Sequence, residues 1–512
     1  KRKSKRESNV ELKEVEITQF YPKEEFKLQL QHGEIPRDKI APHHTFGLCA
    51  SRPDNLKYIE EGKALYSAGN ALVILDVSTM RRRLIFGLDG RGVGCFAIHP
   101  SRKFVAVGEK GAVPNIYIYE YPTFRIAKVL RKGTELGYRA LDFTTNGAKL
   151  ASVGQAPDYM LTVWDWEQEK VILHCKAFGQ DVTKVSFSPD DEGRLTTSGS
   201  GHIRFWRMAS TFTGLKLQGE IGKFGKEELS DIDAFCFLPD GKVVSGAESG
   251  VLHLWEGQFI KCVLTRPGEA GCHRGQVMHV SLDRKELLLV TAGADGFVRW
   301  WDYATVDAAD AEEDRSLFEL CPVREAYLGE GIAVRCLERG GDRGDPASDH
   351  LLVIDGRGGL LRAPLMWGAS SVAAPSQRLM SFHMGAIMGV DTSFLEQLAA
   401  TAGEDGSVRI WDFLTKRELE RASFPRPATC IEWAHGGVDP TGQTVAVGFL
   451  DGVVRVLVRD HRAGELRRAQ TFKPHDNSAV VELKYSPCGR VLLTAGRDAK
   501  LFFIRTHLTA EV

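Results

Sequence analysis

The chain has 512 residues, more than one compact domain usually holds, so two domains are expected. Its 66 lysines and arginines nearly cancel 67 aspartates and glutamates; the resulting net charge of −1 excludes a chain built mainly to coat nucleic acid or an anionic membrane, while leaving room for local patches. Hydrophobic residues at 43% and charged residues at 26% are those of an ordinary soluble globular protein, and no apolar run approaches the roughly 18 residues needed to cross a bilayer.

In chain order, the first 45 residues read as a basic lead-in. KRKSKR (Lys1 to Arg6) lacks the apolar core of a signal peptide, so a cytosolic-type protein is expected. From Phe46 a pattern recurs whose clearest copies are TAGADGFVRWWD (Thr291 to Asp302) and TAGEDGSVRIWD (Thr401 to Asp412). In each, a strand ends in TAG, Asp-Gly supplies a tight turn, and an alternating apolar/polar stretch predicts a half-buried second strand. Weaker copies begin at Tyr66, Ala106, Ala151, Thr196, Ser245, Leu351, Ala446 and Thr494. A second recurring element precedes several of them, an apolar strand ending near a Pro or Asp turn, as in VSFSPDDEG (Val185 to Gly193) and FCFLPDGK (Phe235 to Lys242). It reads as the innermost strand of each unit.

A lone hairpin is marginal in water, so each unit must be covered by its neighbours. The spacings of 42, 49 and 46 residues between Trp164, Trp206, Trp255 and Trp301 approach the ~40–45-residue period of WD repeats, one four-stranded propeller blade each. The fold class is therefore all-β, a WD40-type β-propeller. Ten units exceed the roughly four to eight of one ring. Residues 46–367 are expected to form a seven-bladed ring, and residues 368–512 three blades opening a second, in a chain that continues beyond Val512. The inserts DAADAEED (Asp307 to Asp314) and RGGDRGDPASD (Arg339 to Asp349) mark the boundary region.

Three units carry a His, a hydroxyl and an Asp at matching positions, two of them with a Trp: His273, Thr291, Asp295, Trp301; His383, Thr401, Asp405, Trp411; and His475, Thr494, Asp498, with Ile504 in the Trp place. A His beside an Asp and a hydroxyl resembles a hydrolase triad. An active site is needed once, however, whereas a set repeated per blade is scaffolding. No P-loop, G-x-S-x-G, H-E-x-x-H or EF-hand loop occurs, and the clusters GRGVG (Gly90 to Gly94) and GRGG (Gly356 to Gly359) fall at turns. No catalytic residue, cofactor or metal site is predicted. The ten cysteines are scattered without a C-x-x-C pair and read as buried reduced thiols. The connection from Trp206 to Asp231 looks longer than an inter-blade loop and holds apolar and basic residues, among them Phe212, Leu215, Lys216, Leu217, Lys223, Phe224 and Lys226. These are candidate partner contacts, the alternative being a clamp onto the protein's own blade.

The wording of that connection, TTSGSGHIRFWRMASTFTGLKLQG followed by KFGKEELSDIDAFCFLPDGKVVSGAESGVLHLWEG, resembles the N-terminal region of the cilia- and flagella-associated protein 44 family. PNIYIYEYPTFR (Pro114 to Arg125) and FGLDGRGVGCFAIHPSRKFVAVGEKG (Phe86 to Gly111) fit the same family. The resemblance implies tandem propellers followed by long helical, coiled-coil segments. It also implies a non-catalytic scaffold in the axoneme of cilia and flagella, residing in the cytoplasm before assembly. The implied partners are an inner-arm dynein heavy chain, a sister WD-repeat protein and the doublet microtubule, in a complex tethering the two-headed inner-arm dynein motor domain; no nucleic acid or membrane is implied. The alternative is a microtubule-binding tandem-propeller protein of the echinoderm microtubule-associated type, with KRKSKR meeting tubulin. A substrate receptor of a ubiquitin ligase would need an adaptor-binding helical motif, and none is evident.

Overall fold

A computed structural model describes residues 44–50, 52–86, 92–212, 214–310, 317–341, 348–365, 371–373 and 376–506. KRKSKR and parts of the two inserts and of GRGVG lie outside the described residues. The described chain forms two compact units, one from Phe46 to Met384 and one beginning at Gly385.

The described residues of the first unit hold seven sheets, each a meander in which neighbours in sequence pair antiparallel. The third is typical, with strands Tyr138–Phe143, Leu150–Gly154, Met160–Asp165 and Lys170–Lys176. Its second strand, LASVG, is fully buried, whereas the outer strand KVILHCK is mostly exposed or half-buried, with Leu173 alone buried. A sheet buried on both faces needs apolar residues on both, and successive sheets supply each other's cover. Separate apolar clusters lie at the six successive seams. Leu72, Val105 and Tyr117 join the first pair of sheets, and Val298, Val334 and Val353 the last. The first and seventh sheets also meet, through Tyr58 Oη to His350 Nε2 at 2.8 Å, Lys57 to Glu338 at 2.9 Å, and the Arg82 guanidinium over the Phe382 ring.

The strands that lead each meander face a common axis. Lys184, from the fourth sheet, reaches Asp54 at the start of the first at 3.6 Å, and Ser186 donates to Asp142 of the third at 2.9 Å. The all-β propeller expected from the repeat period is this radial arrangement of meanders.

Three features depart from the expectations. The seventh sheet takes its fourth strand from Gln377–Ser381, beyond a short strand Ser371–Ala373 that pairs parallel with Arg324–Tyr327 of the sixth, so the first unit runs past residue 367 to Met384. Trp206 to Ile221 is not a loop; it completes a long third strand, His202–Thr211, and adds a fourth, Gly214–Ile221. Of the ten free cysteines, Cys321 and Cys488 are exposed, both outside strands, where no neighbouring sheet covers them.

The second unit contains two four-stranded meanders, spanning Ile387–Ser423 and Ala428–Phe472, and three strands, Val480–Tyr485, Val491–Gly496 and Leu501–Arg505. The outer strands of the two meanders, Arg417–Ser423 and Glu465–Phe472, are joined by a parallel bridge between Arg421 and Glu465.

Candidate functional site

The repeated twelve-residue pattern builds the same hairpin in both units. Leu288–Gly293 pairs with Phe297–Asp302, and Leu398–Gly403 with Ser407–Asp412. Gly296 and Gly406 sit at φ +75° and +73°, left-handed values that glycine adopts without the steric cost of a Cβ.

Within the first hairpin the four candidate residues connect. Trp301 Nε1 donates to Thr291 Oγ1 at 2.9 Å, Thr291 Oγ1 meets His273 Nε2 at 2.8 Å, and His273 Nδ1 meets Asp295 Oδ1 at 2.9 Å. Burial holds the His273 pKa below its ordinary value despite the pull of Asp295, which favours a neutral ring. The indole donates to the hydroxyl, and His273 Nδ1 stands between the Asp295 carboxylate and the Arg299 guanidinium, whose Nη1 lies 2.9 Å away. Burial pushes the Asp295 pKa up, but hydrogen bonds and charge from His273 and Arg299 outweigh it and keep the carboxylate well below its usual range.

His475 repeats the arrangement with Asp498 at 2.9 Å and Thr494 at 3.1 Å, without an indole. In the other set Trp411 donates to Thr401 at 2.7 Å, and Asp405 accepts from the backbone N–H and hydroxyl of Ser407. His383 lies at the end of the first unit, 7% exposed. The three histidines are buried, and the arrangement is repeated in the two units.

Sequence reasoning missed two parts of this scaffold. The indole-to-hydroxyl bond also links Trp164 to Ser152, Trp206 to Thr197 and Trp255 to Ser245, always from third strand to second. Arg299 and Arg409, each four residues after the turn Asp, are buried and pair with Asp295 and Asp405. Their identical place in both copies, VRW and VRI, is the signal that could have identified them.

The candidate contact segment divides in two. Arg207 lies opposite Arg194, the first residue of the second strand, and the Met208 N–H still donates to Gly193 O at 2.7 Å; beyond it Ala209–Thr211 pair with Gly214–Lys216 of the fourth strand. The hairpin therefore overhangs its sheet by three residue pairs, about 10 Å. At its tip Phe212 is fully exposed and Leu215 is 46% exposed, with Lys216 also exposed. Leu217 packs partly against the cluster holding Trp206. Further on the chain returns to the body: the Lys223 N–H donates to Gln258 O at 2.7 Å, its ammonium lies over the Phe259 ring, and Phe224 is buried edge-on against Trp255. Phe224 is thus an internal anchor and unavailable to a partner, while Lys226 is exposed.

Near the axis, Asp54, Lys57, Lys184 and Glu338 form a chain of ion pairs. Burial pushes the Asp142 pKa up to about 6, only partly offset by hydrogen bonds from Phe187 N–H and Ser186, and pushes His279 down to about 3. Among the described residues no group of three or more His, Cys, Asp and Glu has a geometry that could hold a metal ion.

The family "Echinoderm microtubule-associated protein first beta-propeller" matches residues 91–326, and "WD domain, G-beta repeat" matches 375–412 and 466–504. Cilia- and flagella-associated protein 44 of Mus musculus is 40% identical over 482 residues, covering 92% of this chain and 26% of that protein. Its counterpart in Chlamydomonas reinhardtii is 44% identical over 476 residues, covering 91% and 26%. Echinoderm microtubule-associated protein-like 4 of Homo sapiens is 25% identical over 520 residues, covering 97% and 48%. The chain spans about a quarter of the length of the first two.

Proposed function

The chain is a relative of the N-terminal region of cilia- and flagella-associated protein 44, and from that premise we propose that it is a non-catalytic WD-repeat scaffold of the ciliary or flagellar axoneme. The kinship, at 40–44% identity over about nine-tenths of the chain, carries this reading. Its finer content is that the scaffold helps tether the two-headed inner-arm dynein motor domain to the doublet microtubule beside a sister WD-repeat protein. A seven-bladed ring followed by the first blades of a second is the architecture we assign it. The seven sheets of the first unit and the meeting of its first and last sheets support that count.

A propeller suits a tether because its surfaces are held by buried networks such as His273–Thr291–Trp301, so little ordering entropy is lost on binding. The overhanging hairpin, with Phe212, Leu215 and Lys216 at its tip, is the contact element of this reading. Crosslinking with mass spectrometry on intact axonemes tests it. Crosslinks from Lys216 or Lys226 to an inner-arm dynein motor domain or a sister WD protein are expected. Crosslinks confined to tubulin and led by Lys1, Lys3 and Lys5 would instead favour a microtubule-binding protein of the echinoderm microtubule-associated type, the reading that the match over residues 91–326 supports.

A further inference from the structure

The outer strands of the second unit's two meanders carry an uneven distribution of charge. In RELERAS (Arg417–Ser423) the two glutamates are used inside the protein: Glu418 is 20% exposed and pairs with buried Arg409 at 3.2 Å. Glu420 is 3% exposed and holds both the Nε and the terminal nitrogen of buried Arg459 at 3.2 and 3.0 Å. The arginines of the same strand point out, Arg421 being 47% exposed, with Arg417 exposed as well. The turn and strand HRAGELRRAQTF that follow add exposed Arg462, Arg467 and Arg468.

The parallel bridge between Arg421 and Glu465, and the Leu419 carbonyl 3.6 Å from where a Cβ on Gly464 would stand, bring the two rows side by side. Arg467 pairs with Asp460, and Arg421 lies 4.0 Å from Glu418. Among the described residues no carboxylate pairs with Arg417, Arg462 or Arg468. The exposed carboxylate within these two strands is Glu465. In a chain of net charge −1, this is a concentrated basic face.

We infer that this face, centred on Arg417, Arg421, Arg462, Arg467 and Arg468, docks an extended glutamate-rich acidic peptide of a partner protein. Guanidinium groups match carboxylates in a planar, bidentate fashion, and arginine clusters are a recurring receptor for acidic motifs. Strand alternation turns Arg467 and Arg468 to opposite sides of Glu465–Phe472, so the basic groups line both sides of an outer sheet edge that an extended peptide can follow. A single-stranded nucleic acid would call for aromatic stacking platforms among the basic residues. Here Phe424 and Phe472 are half-buried, Phe424 against Phe449. The inference rests on the second unit's own charge distribution and is independent of the axonemal reading.

The test is fluorescence anisotropy of a labelled deca-glutamate peptide titrated with the 512-residue chain at low ionic strength. Replacing Arg417, Arg462 and Arg468 by Glu together is expected to weaken binding by about tenfold or more, and the matching glutamine variant by a smaller factor, both with unchanged melting temperature. Reversing three exposed basic residues of the first unit, Arg125, Arg131 and Lys132, is expected to leave affinity within about twofold. Three results would overturn the inference: equal weakening by that control, no measurable peptide binding, or tighter binding to a uridine oligonucleotide or to phosphatidylserine vesicles than to the peptide.

Discussion

Replacing Thr291 by Val removes one hydroxyl while nearly preserving shape, and it strikes the centre of the hydrogen-bond chain. Thr291 is fully buried, as is Trp301, and His273 is 2% exposed. The hydroxyl accepts from the indole at 2.9 Å and meets His273 Nε2 at 2.8 Å, so the valine leaves a buried donor and a buried ring nitrogen unpaired. Each such group costs about 1–3 kcal/mol, giving about 3 kcal/mol for the pair. Thr494 to Val is the internal comparison: it orphans His475 alone, because Ile504 stands where the indole would be, and should cost about half as much. Urea unfolding of both variants followed by circular dichroism measures the difference. For a unit of this size, about 3 kcal/mol corresponds to a shift of roughly 4 °C in melting temperature. If Thr291 to Val lay within about 0.5 kcal/mol of the parent, the hydroxyl would be a bystander and the scaffold argument would fail.

Arg459 to Met should destabilise the second unit by about 3–5 kcal/mol in urea melts, because Glu420 stays buried without its bidentate partner; adding Glu420 to Gln should recover part of the loss. Phe224 to Ala should cost about 3–5 kcal/mol through the cavity left beside Trp255, whereas Phe212 to Ser should be neutral in stability and reduce only partner crosslinks. Stability should fall on acidification. Burial holds His253 at about 4 and His279 at about 3, both below their ordinary 6.5, so the unfolded chain takes up these protons first and stability is lost from pH 6.5 downward. Asp142, raised to about 6, acts oppositely between pH 6 and 4, leaving a net loss of about 2 kcal/mol from pH 7 to 5. Unchanged or greater stability at pH 5 in urea titrations would contradict this balance.

The repeat spacing and the Asp-Gly turns made the propeller legible because they are local: strand alternation and a left-handed glycine require no distant partner. Thr291, Asp295 and Trp301 were legible for the same reason, lying within one hairpin, and His273 because its 22-residue offset from the turn Asp nearly recurs, at 23 residues, at His475. The overhanging hairpin is not legible in the sequence, because GLKLQGEI, although it alternates, is exposed over most of its length and carries no apolar run to announce a strand; only pairing with His202–Thr211 reveals it. The boundary at Met384 depended on Gln377–Ser381 finding Gly359–Pro364 across an insert, a pairing that local pattern does not encode. The basic face follows the same logic. RELERAS contains both signs in similar number, and which sign reaches solvent was decided by Arg409 and Arg459, buried residues of neighbouring strands that draw the glutamates inward. Local alternation thus determined the strands and turns, whereas tertiary packing decided which polar groups are satisfied inside and which are left on the surface to meet a partner.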